Sequence, residues 1–259
     1  MMTISPNVVQ PAPFEPLLRS SAEYRLEDFD EYEPAPVGVL ADLHSRILPS
    51  SPLVRLGHRF MEKFYYNVLP EGGLIFGAIA YVSETPAAFI VATHDSSGFI
   101  RSAVRRYWLR MACECGMTLL SNPSVLKVVP EALSLTKARL AEWRHRSRHS
   151  TPKFKAPVPH GGEILSIGTL PEYQTPKFLR ETKLNLANEL LNFAVTRLQD
   201  SGTRVVRCVV DADNKPAQLF YHCRGWRREA APAAGWKVPV VEFILNDQNK
   251  DDPNTDDWL

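Results

Sequence analysis

Apolar residues recur every three or four positions along Val37–Leu48 (VGVLADLHSRIL) and Leu53–Val68 (LVRLGHRFMEKFYYNV), and this spacing predicts two amphipathic helices. Between them lies PSSP, where Ser50 or Ser51 can cap the second helix and Pro52 suits its first turn. Leu74–Val82 (LIFGAIAYV) and Ala87–Thr93 (AAFIVAT) are apolar throughout and of strand length, so with the short connection SETP they predict a buried hairpin. Tyr24–Phe29 predicts an earlier strand. Glu163–Leu170 (EILSIGTL) and Arg204–Val210 (RVVRCVV) predict strands on either side of a helix whose stripe is Leu184, Ala187, Leu191, Ala194, Val195 and Leu198, with Gly202 as its stop. A further short helix is predicted within Asp211–Trp226 (DADNKPAQLFYHCRGW), capped by Asp213 or Asn214, with Pro216 in its first turn and Gly225 at its end. Trp226–Glu229 and Val238–Leu245 predict the last two strands. Strands alternating with helices in this way predict an α/β domain whose strand-helix-strand unit is right-handed.

The segment 95–162 interrupts this order. Phe99–Cys115 and Ala132–Arg148 have helical composition, and between Phe99 and His160 twelve Lys or Arg stand against three Glu. A net charge of +1 for the whole chain conceals that asymmetry, because acidic residues gather near both ends, at Glu23–Glu33 and in DDPNTDDWL. The basic segment predicts a helical insertion that closes over a substrate site, binds a phosphorylated or acidic substrate or an acidic partner, or makes a homodimer contact; a solvated helix face is the plain alternative. It carries no nucleic-acid-binding motif and little aromatic interleaving, so nucleic acid is set aside. The hydrophobic content of 44% and charged content of 23% are those of an ordinary folded domain, placed here at residues 23–247. Residues 1–22, proline-rich and without periodicity, read as an extended N-terminal segment, and 248–259 as an acidic tail. Cys113, Cys115, Cys208 and Cys223 form no C-x-x-C pair and have no histidines at zinc spacing, so no metal is expected. They read as reduced thiols, and with neither a leader pattern nor an apolar run of membrane-spanning length the chain is expected to be cytoplasmic.

Two stretches carry chemistry. In Asp211–Trp226, Asn214, Ala217 and Tyr221 fall three and four apart and so share one helix face. The pattern N-x-x-A-x-x-F-Y-x-x-x-G-aromatic after a valine-rich strand resembles the acyl-CoA-binding end of the GCN5-related N-acetyltransferases, the GNAT superfamily. Upstream, EILSIGTLPEY is similar to that family's fourth strand, E-I/L-x-x-L-A-V-x-P-x-Y. The resemblance spans roughly residues 24–94 and 163–246. It implies the GNAT fold, a mixed and mostly antiparallel sheet flanked by helices with splayed strands at 163–170 and 204–210, and acetyl-CoA as co-substrate.

Carried over residue by residue, the resemblance has the backbone of Ile167, Gly168 and Thr169 pair with the pantetheine arm as an added strand, with Gly168 leaving room for it. Asn214 would bond the CoA backbone, Ala217 would leave space, and Tyr221 would place its hydroxyl near the thioester sulfur. Glu163 would be the general base, since an alkylammonium must lose a proton before it can attack a thioester. The first two helices would line the acceptor side, which makes His44, His58, Tyr65 and Tyr66 candidates; packing is the plain alternative for each. The family's phosphate loop, Q/R-x-x-G-x-G/A, is altered here: in a gapped register Thr182–Ala187 takes its place, with Asn185 in the first glycine slot as a left-handed residue, Ala187 in the second, and Lys183 adding charge. The competing register runs one long helix from Thr175 as cap. The implied activity is direct transfer of acetyl from acetyl-CoA to the amine of a small molecule such as an amino sugar. A protein lysine or N-terminus is the alternative acceptor, and a non-catalytic acyl-CoA-binding or adaptor domain is the alternative of another class.

Overall fold

The computed structural model describes residues 24–96, 98–121, 161–229 and 239–246. The predicted helix Ala132–Arg148, the N-terminal segment 1–22 and the tail 248–259 lie outside these residues.

The first strand, β1 (Tyr24–Phe29), is followed by helix α1 (Val37–Ile47). The second predicted helix is broken. It consists of α2 (Pro52–Leu56), α3 (His58–Phe60), a π-helical turn (Met61–Tyr65) and α4 (Val68–Glu71). Its apolar spacing is helical, but Gly57 sits at φ +102° and ψ 153°, which no helix contains, so the chain changes direction there. Ser51 is the residue that caps α2, its Oγ accepting from the Leu53 amide at 3.3 Å. The hairpin forms from β2 (Phe76–Val82) and β3 (Thr85–Thr93). Ser83 and Glu84 both take positive φ at its tip, the turn whose twist matches that of the flanking strands. Helix α5 (Phe99–Ser121) runs past the predicted Cys115 and is kinked at Tyr107.

The last third follows the predicted order. It comprises β4 (Gly162–Thr169), a 3₁₀ turn (Pro171–Tyr173), α6 (Pro176–Thr182), α7 (Leu186–Asp200), β5 (Val205–Asp211), α8 (Lys215–His222), β6 (Arg227–Glu229) and β7 (Val240–Asn246). The strands form one sheet in the order β1-β2-β3-β4-β5-β7-β6. Every pairing is antiparallel except β4 with β5, where α7 provides the crossover.

Two apolar layers hold the sheet. On one face α7 lays Leu186, Leu190, Leu191, Ala194 and Leu198 against Ala78, Ala80, Ala88, Ile90, Ile164 and Val206; Tyr221 of α8 and Trp226 complete that layer. The alanines let α7 come close to the strands. On the other face Leu40, Ala41 and Leu43 of α1, with Phe60, Phe64, Tyr65 and Tyr66, cover Phe29, Ile79, Phe89 and Val91.

The parallel pair is short. Gly162, Glu163 and Ile164 pair with Val206, Arg207 and Cys208, and beyond them β4 and β5 part. On its other edge β4 stays paired with β3, with Leu165 as an extra residue between Ile164 and Ser166. The result is a slot through the sheet, narrow at Ile164 and Cys208 and open toward the ends of both strands.

Candidate active site

The slot opens into a cleft of about 610 Å³ lined on the β4 side by residues Ile164 to Thr169 and on the β5 side by Cys208 to Asp211. Arg46, Ile47 and Leu48 close it at the end of α1, Asn185, Leu186 and Ala187 at the start of α7, and Asn214, Ala217, Phe220 and Tyr221 along α8. Of the residues expected from sequence, Ile167, Gly168, Thr169, Asn185, Ala187, Asn214, Ala217 and Tyr221 therefore meet around one cavity. Glu163 and Lys183 are not among its lining residues.

Among the described residues no strand pairs with the β5-facing edge of β4 beyond Ile164, which leaves a row of backbone donors and acceptors facing the cleft. Gly168 has a different local reason from the one expected. A Cβ there would run into Cγ2 of Ile47, so its missing side chain lets α1 sit against β4. The Gln174 side-chain amide donates to the carbonyl of Thr169 and closes the end of the strand.

The start of α7 agrees with the gapped register in outline and corrects it in detail. Helix α6, capped by Thr175 with Pro176 at its first position, stops at Thr182, so no single long helix forms. The left-handed residue is Lys183, at φ +57°, rather than Asn185. Asn185 is extended, and its Oδ1 accepts from the Asn188 amide at 3.1 Å as the cap of α7. A side-chain cap fixes the first turn without a glycine, and the amides of Leu186 and Ala187, which have no partner within their own helix, stand at the cleft wall. Lys183 is exposed beside them.

Helix α8 is built the same way. Asn214 caps it through Oδ1, which accepts from the Ala217 amide at 3.1 Å, so the Asn214 side-chain NH₂ is the group that remains to donate into the cleft. Tyr221 is 3% exposed and is wedged among Trp226, Phe220 and Phe243 at ring distances of 5.0, 5.2 and 5.7 Å. Its hydroxyl stands beside the thiol of Cys208 at the narrow end of the slot, and burial pushes the phenol far above its ordinary pKa, so it carries its proton throughout the physiological range. Tyr221 is thus both a core aromatic and a proton-bearing group on the cleft wall.

Glu163 sits at the start of β4 and is 1% exposed. Its carboxylate takes Nη2 of Arg207 at 3.1 Å and Nε at 3.3 Å, and the same guanidinium reaches Glu242 on β7 at 3.2 Å. This buried cluster ties β4, β5 and β7 together where the slot begins. The histidine and tyrosine candidates of the first helices are packing groups or surface groups. His44, Tyr65 and Tyr66 are buried in the α1 layer, while His58 is exposed and pairs with Asp42 at 2.9 Å. Ser166, Cys208 and Asp211 line the cleft although sequence reasoning did not single them out; the one trace of Ser166 is a polar residue between the apolar Leu165 and Ile167. Among the described residues no group of three or more His, Cys, Asp and Glu side chains is placed to hold a metal ion. None of their helices is long and apolar enough to cross a membrane.

No family model and no curated protein matches the sequence. Solved structures do match. An agmatine N-acetyltransferase mutant is 16% identical over 86% of this chain and 100% of its own, with a TM-score of 0.51. The Drosophila melanogaster polyamine N-acetyltransferase, which forms N-acetylagmatine, is 16% identical over the same shares, with a TM-score of 0.50. With the seven-stranded order and the parting of β4 from β5, the chain has the α/β GNAT fold.

Proposed function

We propose that the protein is an acetyl-CoA-dependent N-acetyltransferase acting on the amine of a small molecule. The observation that carries this reading is the slot itself. One wall is a strand edge left unpaired among the described residues, the start of a capped helix stands at its rim, and a buried, protonated phenol stands at its apex. A pantetheine arm suits the edge of β4 at Ile167–Thr169, because an amide-bearing chain can pair there as a strand does. The diphosphate suits the amides of Leu186 and Ala187, with Lys183 adding positive charge. In place of glycines, the Asn185 cap and the left-handed Lys183 shape that turn. The NH₂ of Asn214 is positioned to donate to the arm from the opposite wall.

In the chemical step the ammonium first loses one proton, and the free amine attacks the thioester carbonyl carbon. The C–N bond forms, the C–S bond breaks, and the phenolic proton of Tyr221 goes to the departing sulfur. The second proton lost from nitrogen restores the phenol, so the products are the amide, CoA thiol and one proton. Amide groups along β4 can hold the developing oxyanion. Glu163, with its carboxylate on Arg207 and off the cleft wall, is assigned to holding the apex of the slot, and the amine is taken up as its free base from solvent.

Two proteins of the same fold are named for agmatine and polyamines, which accords with a small amine acceptor. An amino sugar remains the acceptor to try beside them. Saturating acetyl-CoA is expected to raise the melting temperature, and no rise would exclude the proposal. Thiol release should then appear with at least one of glucosamine, agmatine, spermidine or a lysine peptide, and binding without release from any of them would leave an acyl-CoA-binding domain.

A further inference from the structure

Among the described residues four buried side-chain polar atoms have no hydrogen-bond partner, and two of them, Ser166 Oγ and Thr169 Oγ1, belong to the cleft wall. A buried hydroxyl left unpaired is destabilising, so two on one ligand-sized cavity are groups waiting for a ligand. They do not face the same way. Residues directly opposite each other on neighbouring antiparallel strands share a face. Thr169 lies opposite Ala88, which belongs to the layer of α7 and Tyr221. Ser166 lies opposite Val91, in the layer of α1. The extra residue Leu165 sets this arrangement, since it shifts the strand by one position between Ile164 and Ser166.

The two faces of the slot are therefore chemically distinct. On the Tyr221 face the phenol and its packed neighbours Trp226, Phe220 and Phe243 occupy the space beside the departing sulfur. The acceptor amine has to come from the other face, where Ser166 Oγ is the buried polar atom without a partner. Resting on the catalytic reading above, we infer that Ser166 Oγ is the acceptor-side binding group, which takes an N–H of the incoming amine and aims its lone pair at the thioester carbon, while Thr169 Oγ1 serves the acyl-CoA side.

Ser166→Ala and Thr169→Val test this division. Removing an unpaired buried hydroxyl leaves the fold intact, so both variants should melt at or above the wild-type temperature without ligand. With the amine from the panel of glucosamine, agmatine, spermidine and lysine peptide that the wild type turns over fastest, Ser166→Ala should lower kcat/KM for the amine roughly tenfold, the loss of one hydrogen bond. Its stabilisation by acetyl-CoA should not change. Thr169→Val should show the reverse, a weaker acetyl-CoA shift with an unaltered KM for the amine. Amine kinetics within twofold of wild type in Ser166→Ala, or a weakened acetyl-CoA shift in that variant, overturns the inference while the catalytic reading stands. A wild type that turns over none of the amines overturns both.

Discussion

Tyr221 and His44 are both buried polar rings, and their surroundings give them opposite uses. The Tyr221 phenol, raised by burial, keeps its proton and opens onto the cleft, so it is an acid that stays loaded. Tyr221→Phe keeps the packing against Trp226 and Phe243. It is expected to leave the acetyl-CoA shift intact while kcat falls by roughly 10²-fold, measurable by thiol release. His44 is not among the residues that line the cleft. Its Nδ1 lies 2.6 Å from the Tyr66 hydroxyl and its Nε2 3.0 Å from Ser51 Oγ. The Tyr66 phenol is also raised by burial, so it donates to Nδ1, and the neutral imidazole then donates from Nε2 to Ser51. Burial lowers His44 from 6.5 to about 4. The unfolded chain therefore binds this proton below about pH 6.5, whereas the folded protein refuses it until about pH 4. Stability should be fully present above pH 6.5 and fall as the pH drops toward 4, by about 3 kcal/mol in all. Denaturant unfolding at pH 7 and pH 5 measures the slope, and His44→Gln should flatten it.

At the level of elements, strand faces and helix stripes were legible because they depend on residue period alone. The broken second helix was not: its apolar spacing continues through Gly57, and a single residue at φ +102° ended the helix without disturbing the pattern. The phosphate turn was half legible. Asn185 stands where the gapped register put it, but as a side-chain cap, and the left-handed position fell to Lys183, a residue type that gives no such signal. The orphaned state of Ser166 and the thiol contact of Tyr221 depend on what other strands bring near, so no local pattern could announce them. Because Asn185 replaces a glycine-rich turn, its removal should act twice. Asn185→Ala is expected to lose about 1 kcal/mol of stability by denaturant titration, the ordinary value of a cap, and to weaken acetyl-CoA binding by calorimetry as the first turn of α7 loosens. Loss of stability with unchanged binding would separate the turn from the phosphate.

Across the whole molecule, the slot depends on β4 and β5 being joined at one end only. Arg207 on β5 makes that join, holding Glu163 of β4 and Glu242 of β7 in a region where all three side chains are at most 7% exposed. Removing the cation common to two buried carboxylates should be far more costly than removing a surface pair. Arg207→Leu is expected to lose about 3–5 kcal/mol in denaturant unfolding. Replacing Glu163, Arg207 and Glu242 together by apolar residues of similar size should recover most of that loss, because the desolvation of the charges disappears along with their attraction. The same cluster discriminates between the two roles of Glu163. If it holds the apex, Glu163→Gln lowers stability but leaves both pH profiles with their wild-type shape, kcat level on the acid side and kcat/KM for the amine falling there, since the proton is lost from the amine in solvent. If it is the base expected from the family resemblance, the wild-type kcat has an acid limb that disappears in the variant. The carboxylate faces Arg207 and lies off the cleft wall, so the two kcat profiles are expected to coincide, and an acid limb of kcat that is lost in the variant would return Glu163 to the chemistry.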